Sequence, residues 1–458
     1  MKKVDDYKNK NVLVFGAGMS GTNAAELLVK LGAKATLTDA KPADQIKAYN
    51  DLQNDGVKVV AGKSPVSLLD GMDLMVKNPG IPYDNELVKA AQSRNIPIIV
   101  ELELAAEVSE APLVGVTGSN GKTTTTTMIT KMLQAGKQHG TALDGGNIGI
   151  PATKVAQEVT KEDVLVLEIS SFMLLGTPKL HPHIAVITNI FSNHLDYHKT
   201  RENYVNAKMQ ITKNQTKNDY LVINFDSEEW RELSKRSKAQ IIPFSLTDHY
   251  QNGAYVSDGD IYFKDEFIMH EKDIRVPGEQ NVQNALAAIA VAKLYEVPTE
   301  AIVSVLKNFG GVRHRVQYVL TADNREFYND SKATDIEATQ MALRGFDEPI
   351  VLLAGGLDRG YTFDKLVPDF KDSLAGIVLF GQTADLLEEA AKKAGVPQIK
   401  KVKNLDEAVP EAFKMSKPGD IVLLSPANAS WDQFATYRDR GDEFIKDVEK
   451  LTGKKETN

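Results

Sequence analysis

The sequence predicts an α/β protein of three domains, on three observations. Three segments each open with a short apolar strand, a glycine-rich turn and a helical pattern. Strands alternate with helices along most of the chain, which is the signature of parallel sheets. The length of 458 residues suits about three domains of roughly 150 residues each.

The first segment is NVLVFGAGMSGTNAAELLVKLGA, followed by the strand ATLTD, which ends at Asp39, and by strand patterns at VKVVAG and DLMVKNPG. The second begins LVGVTGSNGKTTTTTMITKMLQAGK and continues with strands at Val164 to Glu168 and Ile184 to Ile190. The third holds EPIVLLAGG, GIVLFG and DIVLLSPA, separated by helical stretches such as ADLLEEAAKKAG. From Phe244 to Val276 the rhythm changes to apolar–polar alternation punctuated by Asn252-Gly253 and Asp258-Gly259. Such dipeptides favour hairpin turns, so a small antiparallel appendage is expected on the middle domain. Glycine and proline near Glu110-Ala111-Pro112 and Gly310-Gly311-Val312 mark the boundaries. The expected domains are 1–110, 111–311 and 312–458, with no repeat of solenoid period.

The composition, 42% hydrophobic and 25% charged, is that of a soluble globular protein. A formal net charge of −8 without a basic stripe argues against a nucleic-acid partner. Absence of cysteine excludes disulfides, thiolate nucleophiles and Cys-ligated zinc. The N-terminus lacks the apolar core of a signal peptide and no run reaches the ~20 apolar residues of a membrane helix. A cytoplasmic protein with no membrane partner is expected.

Gly16-Ala17-Gly18-Met19-Ser20-Gly21, with Asp39 closing the next strand, matches the dinucleotide fingerprint in its strand–turn–helix context. It points to a bound nucleotide diphosphate, or else to a glycine turn that serves only helix–sheet packing. Thr117-Gly118-Ser119-Asn120-Gly121-Lys122-Thr123 is a phosphate-binding loop in which Val116 stands where the usual pattern has glycine. The small residues let the backbone wrap phosphate, Lys122 reaches the outer phosphates and Thr123 can ligate Mg²⁺. The expected architecture is therefore a Rossmann-like N-terminal domain, a central P-loop ATPase-type domain and a Rossmann-like C-terminal domain.

Glu168 ends its strand, so its carboxylate emerges at the sheet edge where α/β proteins bind ligands. The next strand delivers Phe191-Ser192-Asn193-His194-Leu195-Asp196-Tyr197-His198, whose His-x-Asp-x-His is either a metal site or a solvated loop. Beside a phosphate-binding loop, a magnesium-linked role for His194 is favoured. His314-Arg315 and Asn329-Asp330-Ser331-Lys332-Ala333-Thr334 are compact polar clusters, with surface charge as the alternative. Lys208, within ENYVNAKMQITK, reads as an exposed helix lysine.

TGSNGKTTT, LEISSF, TNIFSNHLDYH, GEQNVQNALAA, GGVRHR, NDSKATD and LLSPANASWDQF, in that order, resemble the Mur ligases over essentially the whole chain. NDSKAT and SPANAS look like the D-glutamate-adding branch. The resemblance implies ATP-dependent amide formation between UDP-N-acetylmuramoyl-L-alanine and D-glutamate by a monomer. It implies that ATP is held by Gly118, Ser119, Asn120, Gly121, Lys122, Thr123 and Thr124, with Asn281 and Asn284 near the adenine, Arg315 near the phosphates and Asp330 near the ribose. Mg²⁺ is implied at Thr123, Glu168, His194 and Lys208, the last carried as an N-carbamate; Lys122, Glu168, His194 and Lys208 form the implied catalytic set. The precursor falls to Ser20, Asp39, Asn78, Pro79, Gly80 and Asn147, and D-glutamate to Lys332, Thr334, Arg359, Ser430 and Tyr437. Arg359, Trp431 and Tyr437 depart from the side chains familiar in the family. An NAD-linked dehydrogenase, a P-loop regulatory ATPase and a sibling ligase are the competing readings.

Overall fold

The computed structural model describes residues 1–136, 139–191 and 194–457. Among these residues the strands form three sheets. The first runs, in spatial order, Lys58–Ala61, Lys34–Asp39, Asn11–Phe15, Leu74–Lys77 and Ile98–Ile99, all parallel. The chain leaves Asn11–Phe15 to one side and later returns on the other. That reversal opens a crevice at the carboxyl ends of Asn11–Phe15 and Leu74–Lys77.

The second sheet has parallel strands in the order Gln240–Ser245, Tyr220–Asn224, Ile184–Ile187, Leu113–Thr117, Val164–Glu168 and Ala142–Gly146. The expected appendage is an extension of this sheet. Ala254–Ser257 pairs parallel with Gln240–Ser245, and Asp260–Phe263 and Glu266–His270 then add antiparallel. Asp258 (φ 52°) and Gly259 (φ 79°) make the expected hairpin turn. Asn252-Gly253 does not, because the strands on either side of it run parallel.

In the third sheet the order is Gln317–Ala322, Arg325–Asn329, Ile421–Leu424, Ile350–Gly355, Leu374–Phe380 and Ile399–Lys401, with only the first pair antiparallel. Along Ile350–Gly355, Ile350, Leu352 and Ala354 enter one apolar cluster while Val351 and Leu353 enter another. Both faces are covered, which is why these strands read as unbroken apolar runs. Truncating Leu352 or Leu353 to alanine should cost about 2–5 kcal/mol.

By its internal contacts the chain divides into two units, Met1–Glu271 with Gln283–Val305, and Lys272–Val282 with Leu306–Asn458. The first unit holds the first two sheets, joined by one apolar cluster that runs from Val12 and Leu28 through Leu102 to Leu165 and Ile187. The third sheet lies in the second unit. No described helix is long and apolar enough to cross a membrane.

Candidate active site

Phosphate binding at a strand–helix junction needs a loop that turns tightly and exposes backbone. The strand Leu113–Thr117 delivers such a loop into the helix Lys122–Gly136. Gly118 has φ 152°, and a Cβ there would collide with the Thr188 hydroxyl, so no other residue fits. Asn189 Oδ1 accepts from Asn120 N–H at 2.9 Å and Thr188 Oγ1 donates to the Asn120 carbonyl at 2.6 Å. Ser119 Oγ lies 2.8 Å from the Tyr204 hydroxyl. The loop is thus held in shape from the Ile184–Ile187 side. Lys122 Nζ folds back to the carbonyls of Gly118 and Ser119, at 2.9 Å each, while Thr124 is half-buried in the first helical turn.

Glu168 is 2% exposed at the end of its strand. Its Oε2 accepts from Thr123 Oγ1 at 2.6 Å and its Oε1 from Asn147 Nδ2 at 2.8 Å. Hydroxyl and carboxylate oxygens at this spacing are the hard donors that suit Mg²⁺. Lys208, in the helix Arg201–Met209, is 1% exposed and not the surface lysine its pattern suggests. Its Nζ donates to the Gly118 carbonyl at 2.7 Å and lies 4.6 Å from the Tyr204 ring centroid. Burial, and secondarily the Lys122 charge, lower its pKa to about 6, which favours the neutral amine.

His194 adopts the left-handed conformation (φ 52°) ahead of the short helix Leu195–His198, with the Phe172 ring 5.0 Å away. His198 is buried instead, with Nε2 2.9 Å from Ser171 Oγ and its ring stacked on Phe172. The His-x-Asp-x-His reading therefore divides between an exposed and a packed histidine. Ser192, Asn193 and the Asp196 side chain lie outside the described residues. Asn284 belongs to the phosphate-loop unit, where its Oδ1 accepts from Thr125 Oγ1 at 3.2 Å. Asn281, on the same helix Glu279–Leu294, lies in the other unit and donates to the Pro277 carbonyl at 2.6 Å.

The crevice of the first sheet gathers Ser20, Asp39, Asn78, Pro79 and Gly80 of the predicted precursor residues, while Asn147 stands apart beside Glu168. A Cβ on Gly21 would run into the Gly16 carbonyl, so this glycine permits the close packing of helix on turn. Asp39 accepts from Ala17 N–H at 2.6 Å and Lys41 N–H at 2.9 Å, so it braces the glycine turn. Asn78 faces Gly16 and Gly18, and its Oδ1 accepts from Gly80 N–H at 3.1 Å. Pro79 and the exposed Gly80 complete that turn, and Ser20 is half-buried in the helix Met19–Lys30.

In the second unit Asp330 is 6% exposed, accepting from Ser425 Oγ at 2.9 Å and Val316 N–H at 3.2 Å. Burial raises its pKa to about 7 against the opposing Arg315 charge. Arg315 itself is exposed. Lys332 Nζ lies 5.3 Å from the Tyr437 ring. Burial pushes the Tyr437 hydroxyl up, but Arg438 and Lys332 outweigh it and hold its pKa below the usual value. Thr334 is half-buried beside Lys332, and Arg359 stacks 5.0 Å over the exposed Trp431. Ser430 is 2% exposed, and its Oγ has no hydrogen-bond partner among the described residues. A buried hydroxyl left in that state is unusual and suits a ligand that completes it.

Arg440 carries no sequence signal, since TYRDRGDEF reads as a solvated helix face. It is nevertheless fully buried, donating to Ser331 Oγ at 3.0 Å, the Ser331 carbonyl at 2.9 Å and the Asn428 carbonyl at 3.0 Å. It ties Ser331 to Asn428, two residues before Ser430.

Residues 10–100 match the Mur ligase MurD-like N-terminal domain, 116–292 the Mur ligase middle domain and 314–428 the Mur ligase glutamate ligase domain. The chain belongs to the Mur ligase family, and it is an enzyme of that family. It is 57% identical to the UDP-N-acetylmuramoylalanine–D-glutamate ligase of Lactiplantibacillus plantarum, with 100% of each chain covered. To the ligase of the same name from Ligilactobacillus salivarius it is 56% identical, with 99% of each covered. Its fold matches MurF ligase from Thermotoga maritima, solved in complex with ADP, at a TM-score of 0.58 and 19% identity, over 98% of each chain.

Proposed function

We propose that this chain joins D-glutamate to UDP-N-acetylmuramoyl-L-alanine, converting ATP to ADP and phosphate, as a step of peptidoglycan synthesis. The observation that carries the reading is the Thr123–Glu168–Asn147 bridge, which ties the phosphate loop to the residue after Gly146 through one buried carboxylate. Full-length relatives that carry the name of this ligase support it. On this reading residues 1–110 hold the precursor, 111–311 ATP and 312–458 D-glutamate.

Like charges repel by about 4 kcal/mol at 4 Å and an effective dielectric near 20. The precursor's carboxylate therefore needs compensation before it can approach ATP. Lys122 supplies one positive charge at the loop. Thr123, Glu168, His194 and a carbamylated Lys208 would hold Mg²⁺, which neutralises further phosphate charge when bound. The L-alanyl carboxylate oxygen attacks the γ-phosphorus and the bond to the β–γ bridging oxygen breaks, giving an acyl phosphate and ADP. The D-glutamate amine then attacks the acyl carbon, phosphate leaves and the amine loses a proton. Positioning and electrostatics suffice, with no covalent enzyme intermediate.

Lys208 would carry its carboxylate through attack of a neutral amine on CO₂ with release of one proton. Its burial against the Gly118 carbonyl supports that role. Omission of substrates one at a time tests the function: phosphate release should require ATP, precursor and D-glutamate together. Release from ATP alone at the same rate would identify a regulatory ATPase instead.

A further inference from the structure

Lys77 closes the strand Leu74–Lys77 and is fully buried. Its Nζ donates to the carbonyls of Asn78 at 3.1 Å, Pro79 at 3.3 Å and Ile81 at 2.6 Å. These three acceptors match the three N–H donors of an ammonium group. The Tyr83 ring lies 4.7 Å from the same nitrogen. Tyr197, from the second sheet's His194 loop, donates its hydroxyl to two of these carbonyls, Pro79 and Ile81, at 3.4 Å each. No carboxylate among the described residues pairs with Lys77.

A buried cation without a counter-charge is costly, and an apolar side chain of the same length would fill the space more cheaply. What the cation holds is the turn Asn78 to Ile81, one wall of the first-sheet crevice. Asn78 N–H bonds the Phe15 carbonyl at 2.9 Å, and its side chain faces Gly16 and Gly18 across that crevice. The glycine turn opposite is the place where a helix N-terminus meets a diphosphate. Burial lowers the Lys77 pKa to about 8, so the group remains largely charged at neutral pH.

We propose that Lys77 is a positioning residue of the precursor site: it fixes the Asn78–Ile81 turn by its carbonyls and keeps a positive charge beneath the crevice that binds the nucleotide diphosphate. The proposal rests on the reading of that crevice as the site for the UDP portion of the precursor. Tyr197 extends it, because the same carbonyls are shared with the loop that carries His194.

The test uses the full-length enzyme and its Lys77→Met and Lys77→Gln variants, measuring KM for the precursor, ATP and D-glutamate, and precursor binding by calorimetry without ATP. Lys77→Met should raise the precursor KM and Kd by about tenfold or more, the loss expected for one buried charged donor. Lys77→Gln, which keeps hydrogen bonds without charge, should fall between it and wild type. The KM values for ATP and D-glutamate should stay within about twofold in both. Unchanged precursor binding in two folded variants would overturn the role of Lys77 while leaving the proposed function intact. A uniform loss across all three substrates, or loss of the fold in both variants, would make Lys77 a residue of the core alone and would equally overturn it. Wild-type enzyme that binds no precursor would overturn both readings together.

Discussion

Lys208 Nζ lies 2.7 Å from the Gly118 carbonyl oxygen, so a helix residue 90 positions along the chain reaches the first turn of the phosphate loop. Lys208→Ala should reduce ligation to near background, because it removes the group at this junction and its proposed carboxylate. Acetate should restore part of the activity. Mass spectrometry or ¹³CO₂ labelling showing an unmodified amine in fully active enzyme would refute the carbamate.

Lys122→Ala should lower turnover by about 100-fold or more, the scale of losing one charged donor to the transition state. Lys122 Nζ donates to carbonyls of its own loop, at Gly118 and Ser119, so the circular dichroism spectrum should not change. A folded variant with near-wild-type phosphate release would remove the ATP assignment.

Ser430 offers a trade between stability and binding. Its buried Oγ is unpartnered among the described residues, and such a hydroxyl costs about 1–3 kcal/mol. Ser430→Ala should therefore keep or raise the melting temperature while raising the D-glutamate KM more than the ATP KM. Arg359→Ala should raise the D-glutamate KM as well, without the gain in stability, since Arg359 is exposed over Trp431. An unchanged D-glutamate KM in both variants would contradict the pocket.

Stability should depend on pH through His314. The ring is 4% exposed, and burial lowers its pKa to about 4 despite the attraction of Asp442, with Arg313, Arg438 and Lys332 adding to the depression. The unfolded chain, with histidine near 6.5, binds more protons between these values. The His314 contribution to stability is thus complete above about pH 6.5 and is lost, by about 3 kcal/mol, as pH drops through 4. Asp330, raised to about 7, acts in the opposite direction, so the readout is a difference. His314→Gln should show a shallower fall in melting temperature than wild type from pH 6.5 to 4, and parallel curves would contradict the account.

The strands were legible because their physics is local. Asn11–Phe15 and Val164–Glu168 end where their apolar runs end, since strands covered on both faces need no alternation. The hairpin Gln317–Ala322 with Arg325–Asn329 left a weaker trace. Its turn, Asp323-Asn324, has φ of 50° and 58°, but without glycine the signal is faint. Thr123 and Glu168, from two of the motifs, do meet, and Asn147 joins them. Lys208, Arg440 and Lys77 show where local reading stops. Each is a basic side chain in a polar or mixed segment; Lys208 and Arg440 are buried against Gly118 and Ser331, far along the chain, while Lys77 is buried against the carbonyls of the turn that follows it.

Amino-acid choice tests the central claim most directly. A site arranged to hydrogen-bond both carboxylates of D-glutamate should reject substrates that leave those partners unpaired, by several kcal/mol. The measurement is the mass and yield of the amide product when the enzyme, ATP and UDP-N-acetylmuramoyl-L-alanine are given D-glutamate, L-glutamate, L-alanine, L-lysine or diaminopimelate in turn. Product is expected with D-glutamate and little with the other four. Efficient ligation of L-lysine or L-alanine, with D-glutamate left unused, would contradict it.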